Sequence, residues 1–223
     1  EGSGLTNQLQ TTKDQHGGAI LSSNATINNR SNKSKSDNTD LDLTYKRTFN
    51  KEDQELEIAV NSSFDNSRGT ANNYQSLMPQ DSIYYGTRST NPGKENETEI
   101  TVDYTEPLKE DIILGLGGKI IFMDITSRST IYSFFPDSKQ YEYNSTLSNY
   151  LDYKQKVYAL YSEISFPVGE LFDAKIGGRY ERTQIKSFYS NAQQQTPAHG
   201  YNTFVPSIFL LKKIGEDQTL KLS

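Results

Sequence analysis

Asp40-Leu41-Asp42-Leu43-Thr44-Tyr45-Lys46, then Asn50-Lys51-Glu52-Asp53-Gln54, then Glu55-Leu56-Glu57-Ile58-Ala59-Val60-Asn61 is the stretch that decides the fold. Leu41, Leu43, Tyr45 and Phe49 share one parity, while Asp40, Asp42, Thr44 and Lys46 share the other. A period of two is that of a β-strand, whose successive side chains point to opposite faces. The second run repeats the pattern, with Leu56, Ile58, Val60 and Phe64 against Glu55, Glu57, Ala59, Asn61 and Ser63. Residues 50–54 between them are polar and few, so the chain reverses there as a hairpin.

The same reading extends along the chain. Thr98, Ile100, Val102 and Tyr104 alternate with Glu97, Glu99, Thr101 and Asp103. After residues 106–110 the run from Ile112 to Ile125 is apolar on both parities and interrupted by Gly115, Gly117 and Gly118. Tyr158, Leu160, Ile164 and Phe166 then alternate with Ala159, Tyr161, Glu163 and Ser165. Beyond residues 167–170 the chain returns as Phe172, Ala174, Ile176, Gly178 and Tyr180. A last hairpin joins 204–211 to 219–223 through Gly215-Glu216-Asp217, and a weaker strand spans Ala19 to Asn28. About nine strands follow, forming an all-β, antiparallel up-and-down meander.

The connections alternate. Those near 50–54, 106–110, 167–170 and 214–217 are short, whereas those near 29–38, 65–96, 126–151 and 187–202 are long and polar. Pairing in order puts every short turn at one end of the sheet and every long loop at the other, the connection pattern of outer-membrane β-barrels. In a bilayer every backbone N–H and C=O must be paired, so only helices and closed barrels cross it. The apolar parity would face lipid and the polar parity a wet lumen. An amphipathic sheet with one wet face in a soluble protein is the competing reading.

Composition agrees with a barrel wall. The 223 residues are 33% hydrophobic, with 15 Tyr and 10 Phe against two Met and no Trp. Mean hydropathy is −0.74. A net charge of −5 gives no footprint for nucleic acid, which requires clustered cations. With no cysteine there is no disulfide, thiolate nucleophile or Cys-bound metal. No run approaches the roughly 20 apolar residues of a transmembrane helix. The chain opens at Glu1 without a basic-then-apolar leader and stops within an alternating pattern at Leu220-Lys221-Leu222-Ser223. Residues 1–223 are therefore expected to form one partial-barrel domain of a longer chain, without a plug.

Three motifs carry a family resemblance. Residues 150–163, running Tyr150-Leu151-Asp152-Tyr153-Lys154 to Leu160-Tyr161-Ser162-Glu163, resemble the late-middle part of TonB-dependent receptor barrels, especially the Bacteroidetes outer-membrane β-barrel family. Ile176-Gly177-Gly178-Arg179-Tyr180-Glu181-Arg182-Thr183 resembles that family's Gly-x-Arg-Tyr-Glu strand. Phe204-Val205-Pro206-Ser207 followed by Leu220 to Ser223 resembles its next hairpin. The resemblance implies residence in the outer membrane of a Gram-negative cell, in contact with lipid, as wall of a barrel of about 22 strands. It further implies energising by a TonB complex through a plug absent from this chain, and import of a bulky ligand such as a siderophore, glycan, cobalamin or peptide. An isolated partial barrel, with two open edges, would self-associate.

Residues with catalytic chemistry are sparse. His16 and His199 stand in polar sequence without a second ligand or base at a fixed spacing. Gly115-Leu116-Gly117-Gly118-Lys119 fails the phosphate-loop spacing at Ile113 and Ile120. Asp37, Asp40 and Asp42 lack the glycine and distal glutamate of a calcium loop. No catalytic residue, cofactor or metal is expected, and the chain is read as a non-enzyme. Ligand contact, if this chain makes any, falls to the long loops. There Tyr74, Tyr84, Tyr85, Tyr132, Phe134, Phe135, Tyr141 and Tyr143 are suited to stacking on sugars or flat chelates, or to packing between loops. The alternatives are a soluble glycan-binding or adhesive β-domain, and a small outer-membrane enzyme that needs one of the two histidines.

Overall fold

A computed structural model of the chain describes residues 2–16, 19–79, 82–109, 111–169, 171–190, 194–214 and 218–222. Ten strands follow in order: β1 (Gly2–His16), β2 (Ala19–Thr48), β3 (Glu55–Met78), β4 (Ser82–Lys109), β5 (Ile112–Phe135), β6 (Gln140–Tyr143), β7 (Asn149–Val168), β8 (Phe172–Tyr189), β9 (Gln194–Ile214) and β10 (Gln218–Leu222). They form one antiparallel sheet in the order β1-β2-β3-β4-β5-β7-β8-β9-β10, with β6 pairing β5 outside that path. The meander is as the alternation requires, and β1 and β10 are its two edges.

One difference concerns the long connections. The segment 29–38 is no connection but the interior of β2, which joins the expected weak strand at Ala19–Asn28 to the run at 40–48, and most of 65–96 is ladder as well: β2 and β3 pair from Ala25↔Met78 to Thr48↔Glu55. Over 29–38, 65–73 and 87–96 these stretches are polar on both faces, so no contrast in hydrophobicity announces them, yet the ladder satisfies their backbone groups. The same holds for β1, whose pairing with β2 runs from Gly2↔Ser34 to His16↔Ala19. Of the expected short turns, residues 110, 170 and 215–217 lie outside the described residues.

Register sorts the side chains. Directly opposed residues of an antiparallel pair share a face. One row runs Tyr45, Ile58, Val102, Gly118, Leu160, Tyr180, Phe204 across seven strands. The neighbouring row on that face runs Leu43, Val60, Ile100, Ile120, Tyr158, Arg182, Asn202. On β5 the same face presents Ile112, Leu114, Leu116, Gly118, Ile120 and Phe122. Ten residues at ~3.3 Å each span ~33 Å of strand, or about 25 Å along the barrel axis at the usual tilt of about 40°, the height of a lipid-facing band.

Among the described residues no second layer covers this face. Among the described residues the buried apolar side chains are Val157, Ala159 and Ala174, whereas Leu160 is 70% exposed and Phe204 66%. Along β7, Lys154, Lys156, Tyr158, Leu160 and Ser162 are exposed while Tyr153, Gln155, Val157, Ala159 and Tyr161 are covered. In a single layer that alternation comes from curvature: the sheet curls with its apolar face convex and its polar face concave. The molecule is inside out relative to a soluble domain.

The concave face is tied by polar contacts. Tyr161 on β7 passes across Gly117 of β5 and donates its hydroxyl to Asp103 Oδ1 of β4 at 2.5 Å. A Cβ at Gly117 would collide with the Tyr161 ring, so only glycine lets the ring reach two strands away. Lys119 Nζ binds Glu99 at 2.7 Å and Lys175 Nζ binds Glu163 at 2.7 Å. On the opposite, convex face at the short-turn rim, Lys51 Nζ and Gln54 Nε2 each reach the Glu106 carboxylate at 2.8 Å, and Tyr104 donates to it at 2.5 Å.

Leu160→Arg, on the convex face, is expected to destabilise the membrane-inserted native protein by about 2–4 kcal/mol in reversible urea unfolding from bilayers. Asn61→Arg, on the concave face opposite Glu99, is expected to change it by less than about 1 kcal/mol. Equal costs at the two positions would contradict the assignment of faces.

Candidate functional site

The aromatic residues expected to contact ligand lie at the end of the sheet far from the short turns. β5 turns at residues 136–139 into β6, placing Tyr132 opposite Tyr143 and Phe134 opposite Tyr141. Ring centroids stand 6.0 Å apart in the first pair and 5.2 Å in the second. The Arg88 guanidinium sits 3.9 Å over the Tyr141 ring, a cation–π contact between β4 and β6. Gly86 lies beneath: a Cβ there would meet the Tyr141 hydroxyl at 2.6 Å and Phe134 Cβ at 3.3 Å. The following segment is clamped by Asn144 Nδ2 donating to Ser133 Oγ at 2.9 Å and Ile131 N donating to Ser148 Oγ at 2.8 Å.

Of the eight candidates the structure therefore gathers Tyr132, Phe134, Tyr141 and Tyr143 into one stack. Tyr74 stands on the same face, opposite Gly86. Through the unbroken β4–β5 register this face continues the convex apolar one. Tyr85 and Phe135 carry the opposite parity, turn to the concave side and are 47% and 45% exposed. Tyr84 lies at a bulge and donates to Gln75 Oε1 at 2.6 Å. Arg88 and Gly86 have no signal of their own in the sequence, because their role depends on the β4–β5 register.

The concave wall below is acidic over β2–β4. Asp40, Asp42, Glu57, Glu97, Glu99 and Asp103 share it with Asn61 and Ser63. Lys119 reaches into this sector and Arg179 pairs Glu181 at 2.7 Å further round. His199 is exposed on β9, in register with Ile185; the side chain of His16 lies outside the described residues. The wall offers charge and hydrogen bonds to a solvated passage.

Gly86→Val is expected to push Tyr141 off Arg88 and loosen the β5–β6 hairpin. Trypsin added to intact cells should then cut after Lys139, in the 136–139 turn, several-fold faster than in the wild-type protein. Unchanged cutting would show that the stack does not hold the hairpin.

Among solved structures, the chain is similar to the ferric citrate transporter FecA in its unliganded form, at 12% identity and a TM-score of 0.48, covering 98% of this chain and 40% of that one. It is also similar to BauA, the ferric preacinetobactin receptor from Acinetobacter baumannii, at 10% identity and a TM-score of 0.48, covering 94% of this chain and 32% of that one. The chain thus spans less than half the length of these proteins. No curated protein matches it. Residues 47–223, well over half of the chain, match the model of the outer membrane protein beta-barrel family. With its convex apolar belt, concave polar wall and ordered meander, the chain belongs to the outer membrane protein β-barrel family and resides in the outer membrane of a Gram-negative cell.

Proposed function

We propose that the chain is part of the wall of a TonB-dependent transporter that imports a bulky ligand across the outer membrane. The observation that carries this reading is the open sheet: strands β1 to β10 curve with a polar concave face, yet among the described residues β1 and β10 do not pair. A closed wall then needs further strands, and a barrel larger than nine strands encloses more than side chains alone fill. The resemblance of Gly178-Arg179-Tyr180-Glu181 to the receptor-barrel strand points the same way. A plug within the lumen would couple the barrel to an energising inner-membrane complex, and the imported compound would be a siderophore, glycan, cobalamin or peptide. The wall itself performs no covalent step.

In this reading the aromatic candidates divide by face. Tyr85 and Phe135, turned to the concave side at the mouth, contact the incoming ligand by stacking. Tyr132, Phe134, Tyr141 and Tyr143 hold the hairpin that presents Phe135.

Deleting the gene in its own host is expected to abolish growth on one compound of a panel of ferric siderophores, cobalamin, glycans and peptides. A protonophore should abolish uptake of that same compound. Tyr85→Ala with Phe135→Ala should raise the half-saturating concentration by about tenfold, in line with roughly 1–2 kcal/mol from two stacking contacts, and leave the maximal rate near wild type. Uptake that survives both the deletion and the protonophore would refute the transport reading.

A further inference from the structure

The net charge of −5 conceals a division by face and by height. The concave face carries the acids described above, whereas on the convex face beyond the apolar belt cations outnumber the three acids there, Asp37, Asp124 and Asp152. Lys35, Arg68, Lys94, Lys154 and Lys186 are all exposed on it. Pairing reflects about residues 51–52, 110 and 170 at the short turns. Each of these five cations lies about 16 residues from its own turn centre, so the tilted strands bring them to one level. The outward Phe64 and Phe122 mark the belt's far edge about 12 residues out. The cations thus ride about four residues higher, roughly 10 Å along the axis, the depth of a headgroup layer beyond the hydrocarbon.

A second feature points to an anion. Lys35 stands directly opposite Arg68, and Lys154 directly opposite Lys186. Like charges directly opposed across an antiparallel pair are destabilising. Asp37 lies 3.0 Å from Lys35 on the same strand and Asp124, directly opposite Lys154, 3.8 Å from it, whereas among the described residues neither Arg68 nor Lys186 makes an ion pair. A depression of about 500 Å³ opens at this level, its lining including four cations, Lys35, Arg68, Lys94 and Arg128, against the single acid Asp37. Phosphate groups between the paired cations would relieve the repulsion and accept charge-assisted hydrogen bonds.

We propose that this convex basic ring is a docking surface for the phosphate-bearing headgroups of outer-leaflet lipid, continuous with the apolar belt beneath it. The occupant is lipid rather than free phosphate, because the ring faces outward on the same surface that meets the acyl chains. It fixes the height of the wall in the membrane and is independent of what the lumen transports.

The test is organic-extractable phosphorus per mole of the native full-length protein, purified in detergent. Combined Lys35→Gln, Arg68→Gln, Lys154→Gln and Lys186→Gln is expected to lower it by half or more, while Lys175→Gln on the concave face leaves it at the wild-type level. Raising salt to about 1 M, where the screening length falls to ~3 Å, is expected to release most of the same lipid from the wild-type protein. That arm stands even if the variant fails to insert. Lipid phosphorus unchanged by both the substitutions and salt would overturn the proposal, and so would bound phosphate that partitions into water as the free ion.

Discussion

Backbone hydrogen bonding within a single layer is the constraint on which the rest of this structure depends. A strand that crosses hydrocarbon finds no water for its N–H and C=O groups, so each must be met by the strand beside it. The ladders here run with few interruptions: β7 and β8 pair at every residue from Leu151↔Tyr189 to Val168↔Phe172. Once the ladder satisfies the backbone, no second layer is required, and the side chains answer only to the medium on each side. That is why Leu160 and Phe204 lie open on the convex face while Val157 and Ala159 are covered on the concave one.

The division of charge follows from the same geometry. Acids on the concave face of β2–β4 stand in a wet lumen, where Lys119 and Tyr161 tie some of them across strands. Cations on the convex face stand beyond the belt, where a lipid surface supplies anions. A soluble sheet would bring its apolar parity against another layer and would have no reason to hold its convex cations at one level. Strand tilt, belt height and the basic ring are three consequences of one register.

Much of the fold was legible in the residues themselves. Strict alternation at 40–64 and 97–104 located β2, β3 and the middle of β4, and the polar turn at 50–54 located a reversal. β5 was less legible, because Ile113, Ile121, Met123 and Ile125 are apolar on the concave parity as well. Its register with β4 and β7 settles which face each residue takes. β1 and the outer halves of β2–β4 carry polar residues on both faces, so periodicity is silent there and pairing alone shapes them. At the far end the aromatic residue types stood out, but the split of Tyr85 and Phe135 from the Tyr132–Tyr143 and Phe134–Tyr141 stack required the pairing of β5 with β6. Arg88 became visible only from that pairing.

The assignment of faces is the central claim, and the absence of cysteine from this chain makes it directly measurable. Single cysteines introduced from Glu97 to Tyr104 in the native protein would carry spin labels, read for collision with oxygen in the lipid and with a water-soluble nickel chelate. Labels at residues 98, 100, 102 and 104 should collide with oxygen, and those at 97, 99, 101 and 103 with the chelate, in strict alternation. Chelate access at every position, or alternation of the opposite phase, would contradict a lipid-facing convex surface.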